Sequence, residues 1–210
     1  RAVHAAGLRA LLVAGHAPPW AQAPGAWRFA ADGSWAIQAR ALGELGTALA
    51  RRYSGHFLPA GSTRLLPRVS LLQSWNEPNL PDYLSPQWAA DDGLWKPWAP
   101  AHYRLMHNAF YRAVKAVQPR AIVATAGLAP NGDARDGIGR MAPVRFLRAF
   151  LCLDANGRPL RPRCSDPPLV DAVGFHPLST GDPDRQAVSS LDVAVADIGK
   201  VLRVLRTARA

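Results

Sequence analysis

The chain has 210 residues, of which 49% are hydrophobic and 19% are charged, and its formal net charge is +10. This is the composition of an ordinary globular domain with a hydrophobic core. No run of residues approaches the roughly 20 apolar residues of a membrane-spanning helix, so we expect no membrane partner. The only two glutamates are Glu44 and Glu77, so chemistry that requires a glutamate has two candidates.

The basic surplus comprises 25 Lys and Arg residues against 15 Asp and Glu residues. Such a surplus can indicate a nucleic-acid partner. However, the arginines are spread along the whole chain, no block of five or more like charges occurs, and no aromatic-basic RNA-binding motif is present. We therefore expect no nucleic-acid partner. A steep salt dependence of binding would favour the nucleic-acid alternative.

Four short apolar runs have the length and residue types of β-strands: residues 8–14, 69–74, 121–126 and 170–175. Segments with apolar residues at helical spacing lie between and after them: Leu42, Leu45 and Leu49; Tyr103, Met106, Phe110, Val114 and Val117; Val144, Leu147 and Leu151; and Val195, Ile198, Leu202 and Leu205. Apolar strands that are buried on both faces and alternate with helices indicate an α/β fold with a parallel sheet. Residues 1–210 are predicted to form a single domain.

Polar and aromatic residues follow the predicted strands, and in α/β folds the functional site lies at the carboxyl ends of the strands. Glu77 comes just after the second strand, with Asn76 before it and a proline after it. A partly buried carboxyl in this place is suited to proton transfer. Glu44 lies in the middle of a predicted helix, where we expect a solvated surface charge.

The segment Ser74-Trp75-Asn76-Glu77-Pro78-Asn79 resembles the Asn-Glu-Pro acid/base motif of clan A glycoside hydrolases. These are retaining (β/α)8-barrel enzymes, and their families five and thirty-nine are the most similar. Residues 17–20 (Ala-Pro-Pro-Trp) resemble the end of the third barrel strand, and residues 174–177 (Gly-Phe-His-Pro) the end of the sixth. The resemblance implies a partial (β/α)8 TIM barrel, incomplete at both ends, with an open α/β sheet as the alternative.

The resemblance also implies a role for each residue at these strand ends. Glu77 would be the general acid/base that protonates the glycosidic oxygen and then activates water. Asn76 would hydrogen-bond the 2-hydroxyl of the sugar, and His176 would line the catalytic subsite near the nucleophile. Three further residues would shape the sugar-binding floor or make a polar sugar contact: Trp20, Trp75 and His16. For His16, a purely structural histidine is the alternative.

Two features depart from the pattern of these enzymes. Leu178 stands where a tyrosine commonly follows the sixth-strand His-Pro, and leucine cannot donate a hydrogen bond to a nucleophile. The nucleophile is a glutamate at the end of the seventh strand, and this chain has no third glutamate. The resemblance therefore implies a retaining glycosidase whose nucleophile lies outside this chain. A catalytically silent carbohydrate-binding barrel module is the alternative.

The two cysteines, Cys152 and Cys164, flank a loop rich in Pro, Arg and Gly. They form either a disulfide that closes this loop or two free thiols. Neither belongs to a Cys-x-x-Cys motif and no His is nearby, so no zinc site is expected, and nothing in the sequence requires a metal or a cofactor. A disulfide would indicate a secreted, extracellular protein.

Three tryptophans crowd the segment that follows Glu77: Trp88, Trp95 and Trp98. A tryptophan ring presents a flat apolar face that suits the C–H face of a sugar, with an N–H at its edge. The alternative is that these rings pack their loop onto the sheet. The expected partner of the chain is therefore a carbohydrate substrate.

Overall fold

The structure is a computed structural model and describes residues 1–25, 30–133, 137, 139–162, 164–179 and 181–209. Its strands are β1 (Leu11–Val13), β2 (Leu71–Gln73), β3 (Trp88–Asp91), β4 (Leu94–Pro97) and β5 (Ile122–Ala124). Its helices are α1 (Ala2–Ala5), α2 (Ala39–Arg52), α3 (Ala99–Val117), α4 (Pro143–Phe150) and α5 (Gly199–Arg209). Short 3-10 turns occur at Pro19–Ala21 and Val195–Asp197.

A three-stranded parallel sheet in the order β1-β2-β5 forms the centre of the fold. Leu72 in β2 pairs with Leu12 on one side and with Val123 on the other. Helix α2 connects β1 to β2 and helix α3 connects β2 to β5, which is the crossover arrangement that parallel strands require. The structure therefore confirms the first three predicted strands and their parallel pairing.

The prediction of a (β/α)8 TIM-barrel fold is wrong. The described residues form the three-stranded parallel sheet and a separate two-stranded antiparallel sheet from β3 and β4, and they contain no closed barrel. The fourth predicted strand, residues 170–175, is joined to the rest by two isolated parallel bridges: Ala124–Ala172 and Leu128–Phe175. A sheet of three strands has two open edges, whereas a barrel requires continuous pairing around the circle.

Side chains explain why residues 170–175 do not extend the ladder. The Asp171 carboxylate accepts a hydrogen bond from the Val123 backbone N–H, at 2.9 Å. The Thr125 hydroxyl oxygen accepts one from the Gly174 backbone N–H, also at 2.9 Å. Two backbone donors that would otherwise bond to carbonyls across a strand pair are thus satisfied by side chains.

Helices cover one face of the parallel sheet. Leu72 and Val123 are at most 1% exposed and belong to the core that α2 and α3 build. Leu11, Val13 and Ile122 alternate with them, point to the other face and are 42–48% exposed. The expectation of strands buried on both faces is therefore wrong for the described part of the chain.

Helix α3 carries the largest share of the core, as its spacing predicts. Tyr103, Met106, Phe110 and Val114 are all at most 1% exposed. Helix α2 packs closely on this face at Gly46, where an added Cβ would lie 3.0 Å from the ring of Phe110. Any larger side chain at this glycine would push the two helices apart.

The predicted apolar face of the last helix has the wrong phase. Val195 and Leu202 are 44% and 47% exposed, whereas Val201 and Val204 are 4% and 6% exposed. Residues 195–197 form a 3-10 turn before α5 begins. Val201 and Val204, three residues apart, share the face of α5 that packs on the core, whereas Leu202 points away from it.

Of the two alternatives for the cysteines, the structure contains the disulfide: Cys152 and Cys164 are bonded, with their Cα atoms 5.9 Å apart. The bond closes the loop that follows α4. In the described residues, no helix combines the length and the apolar character that crossing a bilayer would require.

Candidate active site

Glu77 and His176 form the centre of the candidate site. The Nδ1 atom of His176 lies 2.7 Å from Oε1 of Glu77, although 99 positions separate the two residues in sequence. Glu77 follows β2 and His176 follows residues 170–175, so the contact lies at the carboxyl end of the parallel strands. The two side chains are 17% and 36% exposed, respectively, which leaves them partly shielded but open to solvent.

The backbone of Glu77 is held in an unfavourable conformation. Its φ angle is +35°, in the left-handed region that side chains other than Gly rarely adopt. The Glu77 N–H donates to the carbonyl of Gly127 at 3.0 Å, and the Glu77 carbonyl accepts from the Leu80 N–H at 2.9 Å. Conformations of this kind persist where the surroundings enforce them, and they cluster at functional sites.

Replacing Glu77 with Gly is expected to give a more stable protein than replacing it with Ala. Both variants lose the contact with His176, so they differ mainly in the cost of the left-handed conformation, about 1–2 kcal/mol for a residue with a Cβ. Urea unfolding of the two variants measures the difference. An Ala variant at least as stable as the Gly variant would show that this backbone is not strained.

The two asparagines beside Glu77 have different roles. Asn76 is partly buried and its side chain makes no hydrogen bond to another described residue, which leaves its amide available to a ligand. Asn79 is fully buried. Its amide N–H groups donate to the carbonyls of Ala129 and Met141, and its oxygen accepts from the Ala129 N–H. Asn79 therefore fixes the segment that carries Glu77, a role that sequence reasoning missed.

A buried chain of hydrogen bonds supports the same segment from below. The Nε2 atom of His107 lies 2.6 Å from the carbonyl oxygen of Leu169, which can only accept, so Nε2 carries the proton. The Nδ1 atom of His107 then accepts from the Ser74 hydroxyl at 2.8 Å. Ser74 in turn accepts from Tyr103 at 2.7 Å, and the Tyr103 oxygen accepts from the Ala126 N–H at 2.6 Å.

This chain joins the three segments that meet at the site. Ser74 precedes Glu77, Ala126 precedes Gly127, and Leu169 begins the run that ends at His176. Burial raises the pKa of Tyr103 and lowers the pKa of His107 to about 4, so both groups stay neutral near neutral pH. Tyr103 and His107 are four residues apart on α3, and that spacing on an apolar helix face is the signal that could have revealed them.

The aromatic residues that were predicted to bind sugar are not brought together. Trp75 is 2% exposed and its indole N–H donates to the carbonyl of Tyr83 at 2.8 Å. Trp75 therefore packs in the core instead of presenting a face to a ligand, which corrects the prediction that it forms the sugar-binding floor. Trp20 is 71% exposed on the turn after β1. His16 is also exposed, and its ring centroid lies 5.1 Å from that of Tyr83.

The three tryptophans after Glu77 belong to the β3–β4 hairpin and its exit. Trp88 is 6% exposed, and Trp98 stacks on His102 with ring centroids 4.2 Å apart. These two rings pack the hairpin onto the rest of the chain. Trp95 is 50% exposed, and its ring lies against the backbone of Gly137.

Among the described residues, the side-chain partner that the structure gives Glu77 is His176 and not a second carboxylate. The only other glutamate of the chain, Glu44, lies on α2 and pairs with Arg40. In the part of the chain that the structure describes, no group of three or more His, Cys, Asp or Glu side chains is placed to hold a metal ion. Asp182 lies in an exposed turn, with its carbonyl accepting from the Arg185 N–H. Leu178 is 68% exposed next to His176.

A separate cavity lies between the disulfide loop, residues 170–173 and the end of α5. It measures about 670 Å³, and Asp171 is its acidic residue. That carboxylate is already engaged by Lys115 at 2.7 Å and by the Tyr111 hydroxyl at 2.9 Å. Because the acidic residue of this cavity already has two partners, Glu77 is the better candidate for a reactive carboxyl group.

No protein-family model matches the chain, and no curated protein matches it either.

Proposed function

We propose that this chain acts on carbohydrate as part of a glycoside hydrolase, with Glu77 as the general acid/base. The observation that carries the proposal is the 2.7 Å contact between Glu77 and His176 at the carboxyl end of the parallel strands. Glu77 combines a strained backbone, partial exposure and a histidine partner. A carboxylate with a purely structural role needs none of these features, whereas all three are useful to a group that transfers protons.

Each side chain has a defined task in the proposed reaction. The Glu77 carboxyl gives its proton to the glycosidic oxygen as the C–O bond breaks, and the resulting carboxylate later takes a proton from the attacking water. His176 holds the carboxyl through Nδ1 and so directs its second oxygen toward the substrate. The unengaged amide of Asn76 binds a sugar hydroxyl, and the exposed ring of Trp20 offers an apolar platform for a sugar.

The retaining form of this reaction requires a nucleophilic carboxylate about 5 Å from the acid. The nucleophile of the enzymes that the chain resembles is a glutamate, and the only other glutamate of this chain, Glu44, lies on α2. The proposal therefore assigns the nucleophile to residues outside this chain. The proposal also places the protein outside the cell. The Cys152–Cys164 disulfide supports this location, since such bonds persist in oxidising compartments.

A carbohydrate-binding protein without catalytic activity is the second candidate. The lack of a third glutamate in the sequence and the exposed Leu178 next to His176 favour it. Such a protein would use the same amide, imidazole and indole groups for binding and would leave the glycosidic bond intact.

Incubation of the full-length protein with cello-, xylo- and manno-oligosaccharides separates the two functions. A hydrolase releases shorter sugars, and the NMR signals of Glu77 and His176 shift during titration. A binding protein shifts the same signals without releasing product. No shift at either residue with any of these sugars would rule out both functions for this site.

A further inference from the structure

The imidazole of His176 lies directly against the backbone of Gly127. A Cβ added to Gly127 would lie 2.2 Å from Nε2 of His176, 2.5 Å from Cδ2 and 2.8 Å from Cε1. All three distances are far inside van der Waals contact. The φ angle of Gly127 is outside the left-handed region, so the backbone itself does not require glycine here. What glycine provides at this position is space for the ring.

Gly127 also fixes the other member of the pair. Its carbonyl accepts the Glu77 N–H at 3.0 Å, and it forms an isolated parallel bridge with Asn76. The neighbouring Leu128 carbonyl accepts the His176 N–H at 3.0 Å, which holds the backbone of His176 in place. One short segment after β5 thus sets both ends of the contact between Glu77 and His176.

We propose that Gly127 is a positioning residue whose missing side chain sets His176 within hydrogen-bond distance of Glu77. For its effect on catalysis, this inference rests on the proposed glycosidase function. For its effect on geometry, it rests only on the contacts of Gly127, Glu77 and His176. With the backbone of His176 held, a larger residue at position 127 can be accommodated only if the ring rotates away, and that rotation breaks the bond to Glu77.

Gly174 differs from Gly127 in the atoms that an added side chain would meet. A Cβ at Gly174 would lie 2.6 Å from the carbonyl oxygen of Thr125 and 2.8 Å from the backbone nitrogen of Gly127. Because backbone atoms cannot rotate away, a side chain there would separate residues 170–175 from β5. The clash at Gly127 involves ring atoms of one side chain, so Gly127→Ala is expected to fold with a displaced imidazole.

NMR of the His176 ring tests the geometry without any substrate. In the wild type, the ¹⁵N and ¹H signals of the ring should report a hydrogen bond from Nδ1 to a carboxylate. Gly127→Ala and Glu77→Ala should each remove that signature. Gly15→Ala is the matched control, since Gly15 follows β1 as Gly127 follows β5, and a Cβ there meets nothing within 4 Å. An unchanged His176 signal in Gly127→Ala would overturn the proposal.

A double-mutant cycle keeps the proposal testable if Gly127→Ala folds poorly. Removal of the ring by His176→Ala should make the added methyl at position 127 harmless, so the double variant should be as stable as His176→Ala alone. A double variant that is destabilised as much as Gly127→Ala would place the role of Gly127 in the backbone and refute the inference.

Hydrolysis by the full-length protein measures the catalytic consequence. Gly127→Ala should lower kcat by about 10²-fold, since a displacement of roughly 1 Å has that effect, with KM nearly unchanged. If the His176 signal changes as expected but no hydrolysis occurs even in the wild type, the positioning role stands and the proposed function fails.

Discussion

Replacing Glu77 with Gln is expected to lower kcat/KM for glycosides with poor leaving groups by about 10²–10⁴-fold. Gln keeps the size of the side chain and can still accept a hydrogen bond from His176, but it cannot give a proton to the glycosidic oxygen. A glycoside with a good aryl leaving group needs little protonation. We therefore expect a smaller loss with nitrophenyl glycosides than with oligosaccharides in the same variant.

Glu44→Gln is the matched control, because Glu44 is the only other glutamate of the chain. Its side chain is 57% exposed and pairs with Arg40 one helical turn away, an interaction that contributes little to stability. Rates for this variant should equal those of the wild type. Undiminished oligosaccharide hydrolysis by Glu77→Gln, or an equal loss with both leaving groups, would show that Glu77 is not the acid.

Periodicity predicted the elements well where the pattern is long and uniform. The spacing of Tyr103, Met106 and Phe110 continues through the 19 residues of α3, so its buried face could be read from the sequence. The pattern failed in shorter segments. On α5, Val201 and Val204 face the core although Leu202 is equally apolar, and Asp171 replaces a ladder partner by bonding to a backbone N–H. Apolar spacing alone does not distinguish these outcomes from the predicted ones.

The candidate site was predictable in part for a geometric reason. The carboxyl ends of parallel strands meet at one edge of a sheet, so residues that follow different strands, such as Glu77 and His176, are brought close. The directions of side chains beyond the end of a strand could not be predicted in this way. The direction of Trp75 into the core and the support from Asn79 depend on contacts with distant segments, which the alternation of a strand does not specify.

The contact between Gly127 and His176 shows the limit of sequence reasoning most clearly. In the sequence, Gly127 is one of 17 glycines and follows a predicted strand like any turn residue. Its importance arises from the ring of a residue 49 positions later, which only the folded chain brings against it. Close approaches of this kind are set by tertiary packing and leave no periodic signal.

The stability of the protein is expected to fall by roughly 3 kcal/mol between pH 6.5 and pH 4 because of His107 alone. Burial lowers the pKa of His107 from 6.5 to about 4, against smaller opposing effects of its bond to Leu169 and of the charge on Asp171. Below pH 6.5 the unfolded chain binds a proton at His107 that the folded chain does not accept. Stability is therefore fully present above pH 6.5 and is lost as the pH falls toward 4.

Two variants of His107 separate titration from hydrogen bonding. His107→Gln cannot titrate, yet its amide can accept from Ser74 and donate to Leu169. His107→Phe cannot titrate and leaves both partners unsatisfied, which should cost a further 1–3 kcal/mol at every pH. Urea unfolding from pH 7.5 to pH 4.5 should give both variants a flatter pH dependence than the wild type.

His56→Gln, at an exposed histidine, is the control for this measurement. Four aspartates contribute to the pH dependence of stability at a lower pH than His107 does. Hydrogen bonds and cationic partners lower the pKa of Asp133, Asp166, Asp171 and Asp197, so their contribution to stability is lost below the pH range in which His107 acts.

If both His107 variants kept the full wild-type slope between pH 6.5 and 4.5, the neutral histidine would not be the group that links Ser74 to Leu169. His107 on α3 would then not be one of the groups that hold the segments of the site together.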